Sequence, residues 1–271
     1  MDTTLVLAGC GKMGGAMLEG WLEQGIPARR IFAVEPDHTT AAMLEKRFGI
    51  HLSARPEDLP AHLSPAAVIF AIKPQMMDTV APNYARFSSP ATVFLSIAAG
   101  RTISYFESVL GTDAAIVRTM PNTPAAVRRG ITVACPNPRV SEAQRRFCSD
   151  LLLAVGEVEW ISDEGLIDAV TALSGGGPAY VFLLAECMAQ AGIAAGLPEA
   201  LANRLARVTV SGAGELMHQS PDAPKTLRTN VTSPGGTTAE ALRVLMADDG
   251  WQPLITKAIA AATARSRELA G

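Results

Sequence analysis

Two glycine-rich stretches, far apart in the chain, carry residue types that could bind a small charged molecule. The first is Gly9-Cys10-Gly11-Lys12-Met13-Gly14, preceded by the apolar run Leu5-Val6-Leu7-Ala8 and followed by the helix-like Ala16–Leu22. Strand, Gly-x-Gly-x-x-Gly turn and helix, in that order, is the context in which such a turn cradles a pyrophosphate. Gly9 allows the tight turn, Gly11 lets a phosphate approach the backbone, and Gly14 lets the helix pack close. The helix N-terminus adds unpaired N–H groups and a positive dipole end. The second stretch is Asn230-Val231-Thr232-Ser233-Pro234-Gly235-Gly236-Thr237-Thr238. Ser233, Gly235, Gly236, Thr237 and Thr238 at a helix start would gather amides and hydroxyls into an anion site suited to a carboxylate. The plainer alternative is ordinary N-capping by Ser233 or Thr237. A third glycine turn, Leu173-Ser174-Gly175-Gly176-Gly177-Pro178-Ala179-Tyr180, feeds a helix with Pro178 in its first turn.

In an open α/β sheet, ligands bind beyond the carboxyl ends of the strands. Residues following each apolar run are therefore the next candidates. Glu35 ends the run Ile31-Phe32-Ala33-Val34. An acid about 20 residues past the fingerprint accepts hydrogen bonds from the adenosine ribose and repels a 2′-phosphate. No Arg follows at once, and the basic choices considered are His38 and Arg55, so Glu35 leans toward NADH over NADPH. Its alternative is a solvated strand-end acid. Lys73-Pro74-Gln75 follows Ala67–Ile72, and Lys73 could face a cofactor ribose or a substrate carboxylate, or simply water. Ala98-Ala99-Gly100 is small enough for a nicotinamide ribose to lie on its backbone. Met120-Pro121-Asn122-Thr123-Pro124 is a rigid turn with an amide and a hydroxyl, or only a bend. The histidines His38, His51, His62 and His218 are isolated, so no metal site is expected. No Gly-x-Ser-x-Gly, Cys/His or paired-carboxylate pattern points to a hydrolase. Tyr180 opens an apolar helix and is expected in a core.

The elements that must position these residues change character along the chain. Strand-like and helix-like runs alternate to about residue 160: Thr39–Phe48 reads as a helix closed by Gly49, Thr92–Ile97, Ala114–Arg118 and Gly130–Ala134 as strands, and Ser141 caps the helix Glu142–Leu153. That alternation predicts a doubly wound, mostly parallel sheet. Beyond Asp163 the pattern is helical throughout, broken at Gly175-Gly176-Gly177, Gly196-Leu197-Pro198, Pro221–Pro224 and Ser233–Gly236. The expected division is 1–160 for a dinucleotide-binding domain and 161–271 for a helical one. The helix Pro178–Ala195 is apolar nearly all round and must be covered by a core or a second copy. With Glu186 and Gln190 inside it, it reads as an interface helix and not a membrane span.

Composition agrees with a folded chain: of 271 residues 48% are hydrophobic and 18% charged, with a net charge of −3 that suggests neither nucleic acid nor a membrane surface as partner. Cys10, Cys135, Cys148 and Cys187 show no paired spacing, and the chain enters its first strand without a basic start, so a cytoplasmic protein without a signal peptide is expected.

Taken together, the Gly9–Gly14 turn, Lys73-Pro74-Gln75, Met120–Pro124, Leu173–Tyr180 and Val231–Thr238, in this order, resemble the Δ1-pyrroline-5-carboxylate reductase family. The resemblance implies an N-terminal Rossmann domain followed by an all-α dimerisation domain. It implies NAD(P)H-dependent reduction of a cyclic imine carboxylate to L-proline, the last step of proline biosynthesis. It also implies homodimers that often assemble into decamers. Carried onto this chain, Gly9, Cys10, Gly11, Lys12, Met13, Gly14, Ile72, Lys73, Pro74, Ala99 and Asn230 look like cofactor contacts. Glu164, Ser233, Gly235, Gly236, Thr237 and Thr238 look like substrate contacts. Thr238 is the catalytic candidate, orienting the ring nitrogen. Two departures stand out: Gly176 replaces the family's serine, and Pro56 stands where some relatives have an asparagine near the adenosine. The family often favours NADPH, against the lean of Glu35. The rival readings are a β-hydroxyacid-type dehydrogenase, disfavoured because Pro178–Ala195 has no lysine to serve as base, and a non-catalytic NAD(P)-binding protein.

Overall fold

The computed structural model describes residues 3–270. Eight strands make one sheet: β1 (Leu5–Ala8), β2 (Ile31–Val34), β3 (His51–Ser53), β4 (Ala67–Phe70), β5 (Val93–Ser96), β6 (Ala115–Met120), β7 (Gly130–Pro136) and β8 (Gly156–Trp160). Their spatial order is β3-β2-β1-β4-β5-β6-β7-β8. Every neighbouring pair is parallel except β6 and β7, which run antiparallel. The order reverses at β1, so a crevice opens between the carboxyl ends of β1 and β4, where such folds bind ligands. The helices are α1 (Lys12–Glu23), α2 (His38–Phe48), α3 (Met77–Val80), α4 (Ile103–Leu110), α5 (Glu142–Leu153), α6 (Ile167–Val170), α7 (Gly177–Ala194), α8 (Glu199–Gln219), α9 (Pro224–Asn230), α10 (Thr237–Leu245) and α11 (Trp251–Ala270).

Strands β1, β2 and β4 are apolar at every position because the sheet is covered on both faces. Leu5 and Leu7 point into one layer with Met17, Leu18 and Trp21 of α1 and Leu151 and Leu152 of α5. Val6 and Ala8 point into the other, with Tyr84, Phe87, Phe106 and Leu110. The Trp21 indole, buried in the first layer, donates to the Leu151 carbonyl at 2.8 Å. Local signals set the helix ends. Asp37 accepts the Thr40 amide at 2.7 Å to open α2, and Gly49 closes it at φ 62°. Ser141 and Gln144 form a reciprocal capping box on α5.

Two strands escape the sequence pattern. β3 is only three residues long and begins with exposed His51. β8 alternates Glu157 and Glu159 with Val158 and Trp160, as an edge strand facing water does. The antiparallel β6–β7 pair follows from its link: the turn after Met120 is too short to carry a crossover helix. The expected helix Glu164–Leu173 is three pieces, a 3₁₀ turn Glu164–Leu166, α6, and a π-helical turn Thr171–Gly175. Thr171 and Ser174 bond back to the carbonyls of Ile167 and Val170, which suits that widened turn.

The chain forms two compact units, one through Gly175 and again from Thr263, the other Gly176–Ala262. Secondary structure changes near Trp160, yet the turns after it belong to the sheet unit, where Ile167 packs with Val133 and Cys135. In the second unit α7 and α8 form a hairpin joined through Gly196, at φ 97°. The helices approach closely because small residues face each other: Gly192 lies against Ala202, and Ala189, Ala202 and Ala206 are the buried positions of the pair. Their large apolar side chains point outward, Phe182 at 63% exposure and Val208 at 60% among them. Tyr180, expected in a core, is only partly buried. By length and composition the stretch Glu164–Ala194 could cross a membrane, but only 11% of its most apolar window is buried in this chain, which leaves a broad apolar surface to be covered.

Candidate functional site

The glycine turn is built as its spacing requires. Gly9 sits at φ 89°, and a Cβ there would lie 2.7 Å from Ile72 Cγ2 and 2.8 Å from the Ala71 carbonyl oxygen. Ile72 therefore closes over the turn from the end of β4, across the crevice. A Cβ on Gly14 would lie 2.4 Å from the Gly9 carbonyl oxygen, so α1 can pack this tightly only with glycine at that position. Around Gly11 nothing stands within 4 Å of where a Cβ would be, which leaves the backbone open to a ligand. Gly11 is also the N-cap of α1 and makes no side-chain cap, so the first amides of the helix face the opening. These features fit a bound pyrophosphate. Exposed Lys12 stands at the first helical position.

Glu35 turns back onto the same turn. One carboxylate oxygen accepts the Cys10 amide and the other the Asp37 amide, each at 3.0 Å. A cavity of about 560 Å³ opens beside it, lined by Lys12, Glu35, Thr40, Arg47 and Phe48. Burial, and then the Glu35 charge, push the Cys10 thiol up to about 12, so it stays a neutral thiol. Lys73 is exposed, and Pro74 and Ala99 are half-buried, all at the carboxyl ends of β4 and β5. The sheet unit thus gathers Gly9–Gly14, Glu35, Ile72, Lys73, Pro74 and Ala99 along one edge.

Glu164 lies in this unit too. Its Oε1 accepts both the Arg118 guanidinium, at 2.7 Å, and the Ile103 amide at the start of α4, at 2.8 Å. Its Oε2 has no hydrogen-bond partner among the described residues. Asn122 spends its Oδ1 on the Ile131 amide at 2.9 Å, so Met120–Pro124 includes a structural bend that aligns β7.

The other residues fall in the helical unit. Asn230 is the last residue of α9, and Ser233–Gly236 is a tight turn closed by the Gly236 amide on the Ser233 carbonyl at 3.0 Å. Gly235 takes φ 68°. Ordinary capping does not occur there: the N-cap of α10 is Gly236, with no side-chain cap. The hydroxyls of Ser233, Thr237 and Thr238 make no hydrogen bond among the described residues, and all three are exposed. The turn therefore offers uncommitted amides and hydroxyls together. Gly176 likewise caps α7 without a side chain.

Two arginines escaped the sequence reading. Arg118 is the one charge inside a strand otherwise uncharged and buried almost throughout, and that misfit was its signal. Arg101 directly follows the Ala98-Ala99-Gly100 loop, a position at which composition says nothing.

Comparison with known proteins places this geometry. A family described as pyrroline-5-carboxylate reductase dimerisation matches residues 164–269, and one described as NADP oxidoreductase, coenzyme F420-dependent, matches residues 4–100. The pyrroline-5-carboxylate reductase of Pseudomonas aeruginosa is 39% identical over 98% of this chain and 96% of its own length. That of Escherichia coli is 34% identical over 99% of both. Among solved structures, a pyrroline-5-carboxylate reductase from Coxiella burnetii superposes with a TM-score of 0.93 at 32% identity, covering 100% of both chains. The Plasmodium falciparum pyrroline carboxylate reductase with NADP bound gives 0.82 at 29% identity, over 99% of this chain and 98% of that one. Prephenate dehydrogenase from Aquifex aeolicus, at 14% identity and a TM-score of 0.55, shares the fold alone. Identity of 34–39% over nearly the whole chain goes beyond a common fold: the chain belongs to the pyrroline-5-carboxylate reductase family.

Proposed function

We propose that this protein reduces Δ1-pyrroline-5-carboxylate to L-proline with a nicotinamide cofactor. The observation that carries the reading is the start of α10, where Gly236 leaves the helix amides uncapped and three hydroxyls uncommitted. A carboxylate-bearing ring suits that turn, because its anion finds N–H donors and the positive end of the helix dipole. When bound at the glycine turn, the cofactor supplies the hydride. The chain's residues do the rest. Gly9–Gly14 and the α1 amides hold the pyrophosphate, with Lys12 adding a positive charge. Lys73, Pro74, Ala99 and Asn230 position the nicotinamide side. Ser233, Gly235, Gly236 and Thr237 hold the substrate carboxylate, and the free oxygen of Glu164 is a further substrate contact. A protonated pyrroline is already electrophilic, so Thr238 has only to accept the ring N–H and fix the ring's orientation.

Glu35 favours NADH, since its carboxylate, anchored on Cys10 and Asp37, would meet a 2′-phosphate with like charge. The protein acts in the cytoplasm. The outward apolar side chains of α7 and α8 are covered by a second copy, giving a homodimer, which sedimentation would separate from a decamer. The test is oxidation of NADH and NADPH, each with pyrroline-5-carboxylate and with a hydroxyacid couple. Oxidation with the pyrroline, faster with NADH, is expected. Turnover with the hydroxyacid couple alone, its keto acid taking the hydride, would move the protein to a dehydrogenase of that class, and no turnover with either would leave only a nucleotide-binding role.

A further inference from the structure

Beyond the last sheet bond between β4 and β5, from the Ile97 amide to the Phe70 carbonyl at 3.1 Å, the two chains separate. The Lys73-Pro74 turn continues from one and the Ala98-Ala99-Gly100 loop from the other. Among the described residues, one side chain joins residues 71–76 to residues 97–102 by hydrogen bonds. Arg101 donates from Nε and from Nη2 to the Pro74 carbonyl, at 3.2 and 3.1 Å. The same Nη2 donates to Asp78 at 2.7 Å, and the guanidinium lies 4.6 Å over the Tyr105 ring. The head group is thus fixed by a carbonyl, a carboxylate and an aromatic face, and its side chain is only 23% exposed. A planar fork that donates twice to one oxygen while stacked on a ring is a geometry lysine cannot copy.

We infer that Arg101 is a positioning residue for the cofactor: it clamps the Lys73-Pro74 turn to the Ala99-Gly100 loop and holds both at the spacing the nicotinamide side requires. This rests on the cofactor reading proposed above. The clamp acts before binding, so losing it charges the cost of ordering two loops to the binding step. Hydride transfer, once the cofactor is seated, is left nearly intact.

The experiment compares wild type with Arg101→Met, Arg101→Lys and Asp78→Asn. NADH affinity is measured by nicotinamide fluorescence, kinetics by NADH oxidation, and loop order by amide hydrogen exchange over residues 73–77 and 98–103. Arg101→Met is expected to raise the Kd and KM for NADH about five- to tenfold, with kcat within about twofold. Exchange should quicken in both segments. Asp78→Asn, which leaves both bonds to Pro74, should change KM less than about twofold. Arg101→Lys keeps the charge but not the fork and should resemble Arg101→Met. Full rescue by lysine would assign the effect to charge and overturn the clamp, as would wild-type Kd and exchange in Arg101→Met. A fall in melting temperature and active fraction at unchanged Kd would make Arg101 merely structural and overturn it equally. Failure of wild type to bind NADH or reduce the pyrroline would instead remove the proposed function.

Discussion

Arg118 and Glu164, distant in sequence, meet as an ion pair whose side chains are 5% and 29% exposed, respectively. The carboxylate oxygen that takes the Arg118 N–H also takes the first amide of α4, so one atom ties β6 and α4 to the turns that follow the sheet. Removing one charge leaves the other buried without compensation, which costs about 3–5 kcal/mol when a buried pair is broken. Glu164→Gln should therefore lower unfolding free energy in urea by about 3 kcal/mol. The double variant Arg118→Met/Glu164→Leu should recover most of it, since no orphan charge remains. A single variant that unfolds at the wild-type urea concentration would deny the pair this role.

Glu35 gives the cofactor preference a physical handle. Both oxygens are held by backbone amides, so the charge cannot swing away from an incoming 2′-phosphate. Glu35→Ser should raise the NADPH-to-NADH ratio of kcat/KM by about tenfold, about 1.4 kcal/mol. The steady-state comparison needs only the two cofactors at saturating pyrroline. A ratio that stays at the wild-type value would place discrimination elsewhere in the cavity.

What the sequence disclosed and what it hid divide by range of interaction. The strands β1, β4 and β5 were legible because a run such as Val68-Ile69-Phe70 can only be buried on both faces, and two helix ends were legible because Gly49 and Ser141 act within a turn of themselves. The glycine turn was legible for the same local reason. β3 and β8 were not, because edge strands need no continuous apolar run. The π-helical turn Thr171–Gly175 was not, because a widened turn differs from an α-turn by hydrogen bonds and not by residue type. Arg118 and Arg101 find their partners across the sheet edge, and long-range pairing leaves no mark in spacing. The Ser233–Thr238 turn lay between: the sequence favoured anion binding over capping without excluding either, and the α10 N-cap at Gly236 decides against capping.

Thr238 tests that turn directly. Its hydroxyl is exposed and has no partner in the described chain, so removing it costs the fold little. One oriented hydrogen bond to a charged group is worth about 1.5–3 kcal/mol, which corresponds to roughly one to two orders of magnitude in rate. Thr238→Ala should lose that much kcat while melting at the wild-type temperature, and Thr238→Ser should restore most of the rate. Wild-type kinetics in Thr238→Ala would take the hydroxyl out of the reaction.

Buried thiols set an alkaline limit on the fold. Burial pushes Cys148 from 9.0 up to about 12, and Cys10, with Glu35 adding its charge, moves by a similar amount. A thiol whose folded value is raised favours the neutral form in the native state. Its contribution is therefore complete below pH 9 and is lost as pH climbs from 9 toward 12. While only the unfolded chain ionises, each thiol adds up to about 1.4 kcal/mol per pH unit to the fall in stability. Cys148→Ala removes one such group at the cost of a small vacancy beside Leu151 and Leu152, roughly 1 kcal/mol at pH 7. Urea unfolding from pH 7 to 11 should then show a variant that starts lower and declines less steeply than wild type. Parallel curves would mean that the Cys148 thiol ionises alike in both states, and the alkaline loss would fall to other groups.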